Sequence, residues 1–127
     1  MKVFHGRTDG AVSEPRGPTF TGAVWADPVM TSTDGVTINN VFFSPGARTH
    51  WHAHERGQVL NVSAGKGWIC KEGEAPQPIR AGDVVWIGPN ERHWHGAASD
   101  SYMLHMATSL GHTNWAEAVE GADFPAS

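Results

Sequence analysis

The sequence has little of what several function classes require. It holds one cysteine, Cys70, among 127 residues, so no internal disulfide is available. A disulfide framework of the secreted kind is thereby excluded, and a reducing, cytoplasmic setting is the expectation. No apolar run approaches the ~20 residues that span a bilayer; the longest, such as Val84-Val85-Trp86-Ile87, stop after a few positions. A helical membrane protein is excluded. No basic segment followed by an apolar stretch opens the chain, because Met1-Lys2-Val3-Phe4-His5-Gly6-Arg7 turns polar at once. A secretory signal is therefore not expected. Charge is sparse too, with 9 Lys and Arg against 13 Asp and Glu, a net −4 and no basic stripe. Nucleic acid is a poor partner for such a surface.

Hydrophobic residues make up 39 %, enough for a packed core, and the length suits one domain. Fifteen glycines and eight prolines punctuate short apolar runs, the pattern of many short strands. Residues 1–18 read as an arm and 19–127 as a single domain. Strands are expected over 20–25 (stopped by Asp27-Pro28), 36–43, 48–53, 58–62, 67–71, 83–87, 92–96 and 102–108. Turns are expected at Ser63-Ala64-Gly65-Lys66, Glu72-Gly73-Glu74, Gly88-Pro89-Asn90 and Ala98-Ser99-Asp100. Only 114–120 reads as helical, with Asn114 as N-cap and Glu117 as its capping-box partner. About eight strands at such spacing predict an all-β barrel or sandwich.

The chain is rich in histidine, with eight, and in tryptophan, with six. His50, His52 and His54 alternate, which on a strand places them on one face. Gln58 opens the next strand, and His93 and His95 again share a face. Imidazole nitrogens joined by one oxygen suit a first-row divalent ion with open positions for substrate. His95 reads equally well as a structural donor. His50 reads as a hydrogen-bonded structural histidine, and His5 and His112 as solvated ones. Trp51, Trp86 and Trp94 read as core or interface anchors, Cys70 as a small buried hydrophobe, and Lys71-Glu72-Gly73-Glu74 as a solvated turn.

Gly46, His52-Ala53-His54, Gln58 and Gly65 follow the spacing of the first cupin motif. Gly82-Asp83-Val84-Val85-Trp86-Ile87-Gly88-Pro89-Asn90-Glu91-Arg92-His93 resembles the second. The resemblance implies a double-stranded β-helix, the jelly-roll barrel, with His52, His54 and His93 as metal ligands. Gln58 stands in the place usually held by glutamate. Asn90 replaces the usual turn glycine, and asparagine tolerates that left-handed backbone. A neutral carboxamide leaves the ion its full charge, which weakens its hold on the metal but favours polar bond cleavage over redox chemistry. Within the cupins, Pro45-Gly46-Ala47-Arg48-Thr49, Trp51-His52, Gly57-Gln58 and His93-Trp94-His95-Gly96-Ala97-Ala98 resemble the small manganese-dependent hydroxynitrile lyases of bacteria. This implies Mn(II), with Fe(II), Ni(II), Co(II) or Zn(II) as further candidates. It also implies a cyanohydrin substrate of the mandelonitrile kind and His105 as the catalytic group that takes the hydroxyl proton or holds the departing cyanide. The plainer reading of His105 is a core histidine bonded to a backbone carbonyl. Arg48 is expected to make a barrel-end salt bridge, and the chain to pair into a homodimer or homotetramer. The alternatives are a cupin dioxygenase acting on a phenolic or diketone substrate and a non-catalytic small-molecule-binding cupin.

Overall fold

The computed structural model describes residues 1–6 and 12–126; part of the expected arm, 7–11, lies outside them. Twelve strands form one curled antiparallel sheet: β1 Glu14–Pro15, β2 Phe20–Thr21, β3 Val24–Thr33, β4 Val36–Phe43, β5 Arg48–Thr49, β6 His52–His54, β7 Gln58–Lys71, β8 Gln77–Arg80, β9 Val84–Ile87, β10 His93–Ala97, β11 Met103–Leu110 and β12 Thr113–Trp115. One half runs β1-β3-β4-β11-β7-β9. The other runs β2-β5-β10-β7-β8, with β6 beside β10 and β12 beside β6. β7 belongs to both, so it folds the sheet over on itself and makes the two halves face each other.

That long strand merges the two expected over 58–62 and 67–71. Instead of a four-residue turn there is a register shift opposite Leu104 and His105. Gly65 sits at the bend with φ 74°, where a Cβ would strike the Tyr102 carbonyl. Glycine is what lets the backbones close there. The turn expected at Gly88-Pro89-Asn90 is present, with Asn90 at φ 59°.

Three expectations are corrected. β3 does not stop at Asp27-Pro28 but runs to Thr33, with a register shift after Pro28. β1 covers β3 only at Trp25 and Ala26, so proline's missing N–H interrupts no ladder on that side. The helix expected over 114–120 is absent. Asn114 lies in β12 opposite Ala53, Ala116 N–H donates to the Trp51 carbonyl and Trp51 N–H to that of Glu117. Those backbone groups are spent on the β6 edge, and the helical element is a single 3-10 turn, Gly121–Asp123. Arg48 donates to the Gly46 carbonyl at 3.1 Å and lies over the Phe124 ring at 4.4 Å, with no carboxylate partner among the described residues.

Inward positions of the two halves fill the interior. Phe43, Met103, Val24 and Val62 close one end, Leu60 and Ile87 continue it, and Trp94 packs with Cys70 and Val119 on the outer side of β10. Each such side chain contributes roughly 1.5–3 kcal/mol by leaving water. The apolar end supports the rest of the interior, which is lined by histidine.

Candidate metal centre and its cavity

The polar interior arises from strand parity. β6 turns His52 and His54 inward, β10 turns His93 and His95 inward, β11 contributes His105, and β7 opens with Gln58. All six are buried, none more than 4 % exposed. His93 faces His52 across the β6–β10 pair, with ring centroids 4.2 Å apart. His50 does not join them. The chain bends at 50–51, so Thr49 and His52 both face inward, and the alternation expected across 48–53 is broken. His50 N–H donates to the Thr19 carbonyl, and its own carbonyl receives His52 Nδ1 at 2.9 Å.

Each ligand candidate is held by its far side. His52 Nδ1 lies on the His50 carbonyl and His93 Nδ1 on the Glu91 carbonyl at 2.8 Å. His54 Nδ1 lies 3.0 Å from Thr113 Oγ1, and Gln58 Nε2 donates to Ser109 Oγ at 2.9 Å. A carbonyl can only accept, so in His52 and His93 the proton sits on Nδ1 and Nε2 keeps its lone pair. Four buried polar atoms are left with no partner here: His54 Nε2, His93 Nε2, His95 Nε2 and Gln58 Oε1. Buried polar groups are rarely left so. A cation accepting their lone pairs satisfies them together, and the outer hydrogen bonds are those that aim metal-bound imidazoles. The residues present therefore fit a divalent ion.

Three histidines are positioned to hold one: the ligating nitrogens of His52, His93 and His95 lie within 4.8 Å of one another. By ring centroid His54 lies as near, 5.0 Å from His52 and 5.5 Å from His93 against 5.3 and 5.7 Å for His95. Burial holds all these rings neutral, the form that ligates. It lowers His52 and His95 well below the usual imidazole value, aided by neighbouring imidazoles, and takes His54 to about 4. His93 is lowered by burial as well, with the Glu91 carbonyl opposing.

His105 is buried against a second imidazole. Its Nε2 lies 3.0 Å from His95 Nδ1, and its Nδ1 is buried without a partner. Burial lowers it to about 4. A neutral pair shares one proton along that contact, so protonation at one ring sets what the other presents.

A cavity of about 180 Å³ lies over this floor and reaches the surface. His52, His54, Gln58, His95 and His105 line it, with Phe20, Trp115, Thr37, Asn39 and Ser109 higher up. The sequence reading missed Phe20 and Trp115. The only available signal was their cross-strand register with Thr49 and His52, which is not visible before the strands are paired.

The general cupin domain model matches residues 40–108. The chain belongs to the cupin family. A cupin-like protein from Thermotoga maritima superposes with a TM-score of 0.83 at 37 % identity, over 91 % of this cupin and 94 % of that chain. Over 102 residues, 77 % of its own length and 78 % of the other's, this chain is 47 % identical to a protein of Granulicella tundricola named (R)-mandelonitrile lyase. The polyketide cyclase RemF of Streptomyces resistomycificus shares the fold at a TM-score of 0.74 and 16 % identity, over 99 % and 90 % of the two chains.

Proposed function

We propose that this cupin is a metal-dependent hydroxynitrile lyase that cleaves a cyanohydrin of the mandelonitrile kind to aldehyde and hydrogen cyanide, and runs the reverse addition. The observation that carries it is the buried floor of partnerless nitrogens and one amide oxygen, opening into a small cavity in a chain 47 % identical to a mandelonitrile lyase. The ion, for which Mn(II) is the first candidate, supplies Lewis acidity that makes a bound hydroxyl easier to deprotonate. His52, His93 and Gln58 Oε1 would hold it, with either His54 or His95 as the remaining imidazole.

The choice between those two decides what His105 does. With His54 as ligand, the His95–His105 pair is free to act as base. The pair takes the hydroxyl proton at His95 Nε2 or His105 Nδ1, the O–H electrons form the carbonyl, and the C–C electrons leave on cyanide. The proton then passes to cyanide. With His95 as ligand through Nε2, its Nδ1–H is donated to His105 Nε2. His105 then carries its proton on Nδ1 and hydrogen-bonds the departing cyanide, while His54 Nε2, left out of this ligand set, takes the hydroxyl proton and passes it to cyanide. Both routes use groups that burial keeps neutral near pH 7.

Cyanide release from racemic mandelonitrile, followed with and without a chelator and under anaerobic conditions, tests the reading. Release that needs metal and no oxygen supports it. Oxygen consumption without cyanide release replaces it with the dioxygenase alternative, and no turnover with any divalent ion replaces it with a binding cupin.

We infer further that the working unit contains a second copy of the chain, and that it acts in the cytoplasm, where the free thiol of buried Cys70 stays reduced. The outer face of β3, β4, β11, β7 and β9 carries large apolar groups where a solvated sheet is mostly polar. Trp25, Phe42 and Leu104 share one row, Asp27, Asn40, Met106, Asn61 and Val84 the next, Met30, Ile38, Thr108, Val59 and Trp86 a third. Trp25, Trp86 and Tyr102 are 39, 58 and 44 % exposed, which for aromatic side chains leaves on the order of 300 Å². Val84 and the half-buried neighbours widen that toward the ~500 Å² per partner at which an interface between copies becomes plausible. With Asp27 as the one charged group in these rows, such a face can pair with its own copy across a two-fold axis.

A further inference from the structure

We propose that Phe20 and Trp115 form an aryl subsite, which holds the ring of an aromatic alcohol while its hydroxyl points to the buried imidazoles. This deepens the lyase reading and rests on it for the reaction; the place of the ring rests on the geometry alone.

Phe20 on β2 pairs with Thr49, and Trp115 on β12 pairs with His52. Directly paired residues point to the same side of a sheet. Thr49 and His52 face inward, so both aromatic rings are delivered to the cavity. The Trp115 ring lies stacked on His52, with centroids 4.5 Å apart, and 5.4 Å from Phe20. Phe20 is 6.5 Å from Phe43, and Phe43 is 5.1 Å from His105. The rings thus run without a break from the mouth to the His95–His105 pair. From the other half of the sheet come Thr37, Asn39 and Ser109, with hydroxyl and amide groups.

Trp115 lines this cavity yet is 42 % exposed. Most large apolar groups on an inward face are covered, and here the uncovered indole faces the cavity mouth beside Phe20. A planar ring supplies the cover: offset or edge contacts with indole and phenyl need no hydrogen bonds, and the polar wall stays free for the carbinol and its third substituent. A short aliphatic alcohol reaches the imidazoles but leaves both rings wet. Aromatic compounds are the substrate class that this wall selects.

The test is ligand-observed NMR titration of the Mn(II)-loaded protein with benzyl alcohol and with 1-propanol, neither of which can release cyanide. Benzyl alcohol is expected to bind at least ~10-fold more tightly. Phe20→Ala and Trp115→Ala should remove most of that preference, and Trp115→Phe should restore it. Mn(II) affinity should stay unchanged in the Phe20 variants. Should Trp115→Ala lower the melting temperature, Phe20→Leu, which keeps apolar volume without the ring, carries the comparison. Equal binding of the two alcohols, or a preference that survives loss of both rings, overturns the subsite. If benzyl alcohol binds through Phe20 while mandelonitrile is not cleaved, the subsite stands and the lyase reading falls. If Phe20→Ala cleaves aryl and alkyl cyanohydrins with the wild-type ratio, the reaction stands and the subsite falls.

Discussion

Acid should unfold the metal-free protein well before its carboxylates titrate. His105 is wholly buried, and burial lowers it from 6.5 to about 4. In the unfolded chain it binds a proton as pH falls through 6.5, whereas in the folded protein it stays neutral down to about 4. The unfolded state therefore binds more protons throughout that window, and stability falls as pH falls across it. Below about 4 both states are protonated and the loss from this ring stops growing. One such ring costs about 3 kcal/mol over the window, at ~1.4 kcal/mol per pH unit. His54 is lowered to about 4 too, and His93, His52 and His95 are also lowered, against a total stability of about 5–15 kcal/mol for a domain. Urea unfolding of chelator-treated protein at pH 7, 6 and 5 checks this. The midpoint should drop with each step, and His105→Gln should drop by about one proton's worth less. A midpoint that is flat between pH 7 and 5 would refute the burial argument.

His105→Ala should cut cyanide release by ~10²–10⁴-fold while leaving bound metal unchanged, read by kinetics alongside metal content. His54→Ala and His95→Ala separate the two ligand sets, because whichever ring ligates should lose metal on substitution and the other should lose rate alone. Gln58→Glu should tighten Mn(II) binding in a calorimetric titration and slow cleavage, since the carboxylate neutralises part of the charge that acidifies the hydroxyl. Light scattering at micromolar concentration should give twice the chain mass, and Leu104→Glu with Trp86→Glu should give the monomer; a monomeric wild type would remove the second copy.

The parts of this molecule legible in its sequence are those set by local rules. The alternation His52-Ala53-His54 and His93-Trp94-His95 did place imidazoles on inward faces, and the spacing of Gly46, Gln58, Gly65 and His93 marked the cupin barrel. Parity failed where the backbone bends. His50 shares parity with His52, yet the bend at 50–51 turns it away and brings Thr49 in. Asn114 and Glu117 form a sound capping pattern, but the open edge of β6 offered Trp115 and Ala116 better hydrogen bonds than a short helix could. Propensity is a weak prior where a sheet edge competes. The His95–His105 contact joins β10 to β11, strands that do not pair with each other, so no pattern along the chain announces it.

The central claim is that separate strands aim their lone pairs at one ion. Metal content of the purified protein after titration with Mn(II) and removal of excess tests it most directly. The account predicts one equivalent per chain in the wild type and its loss in both His52→Ala and His93→Ala variants that remain folded. Wild type that retains no metal, or variants that retain a full equivalent, would contradict it.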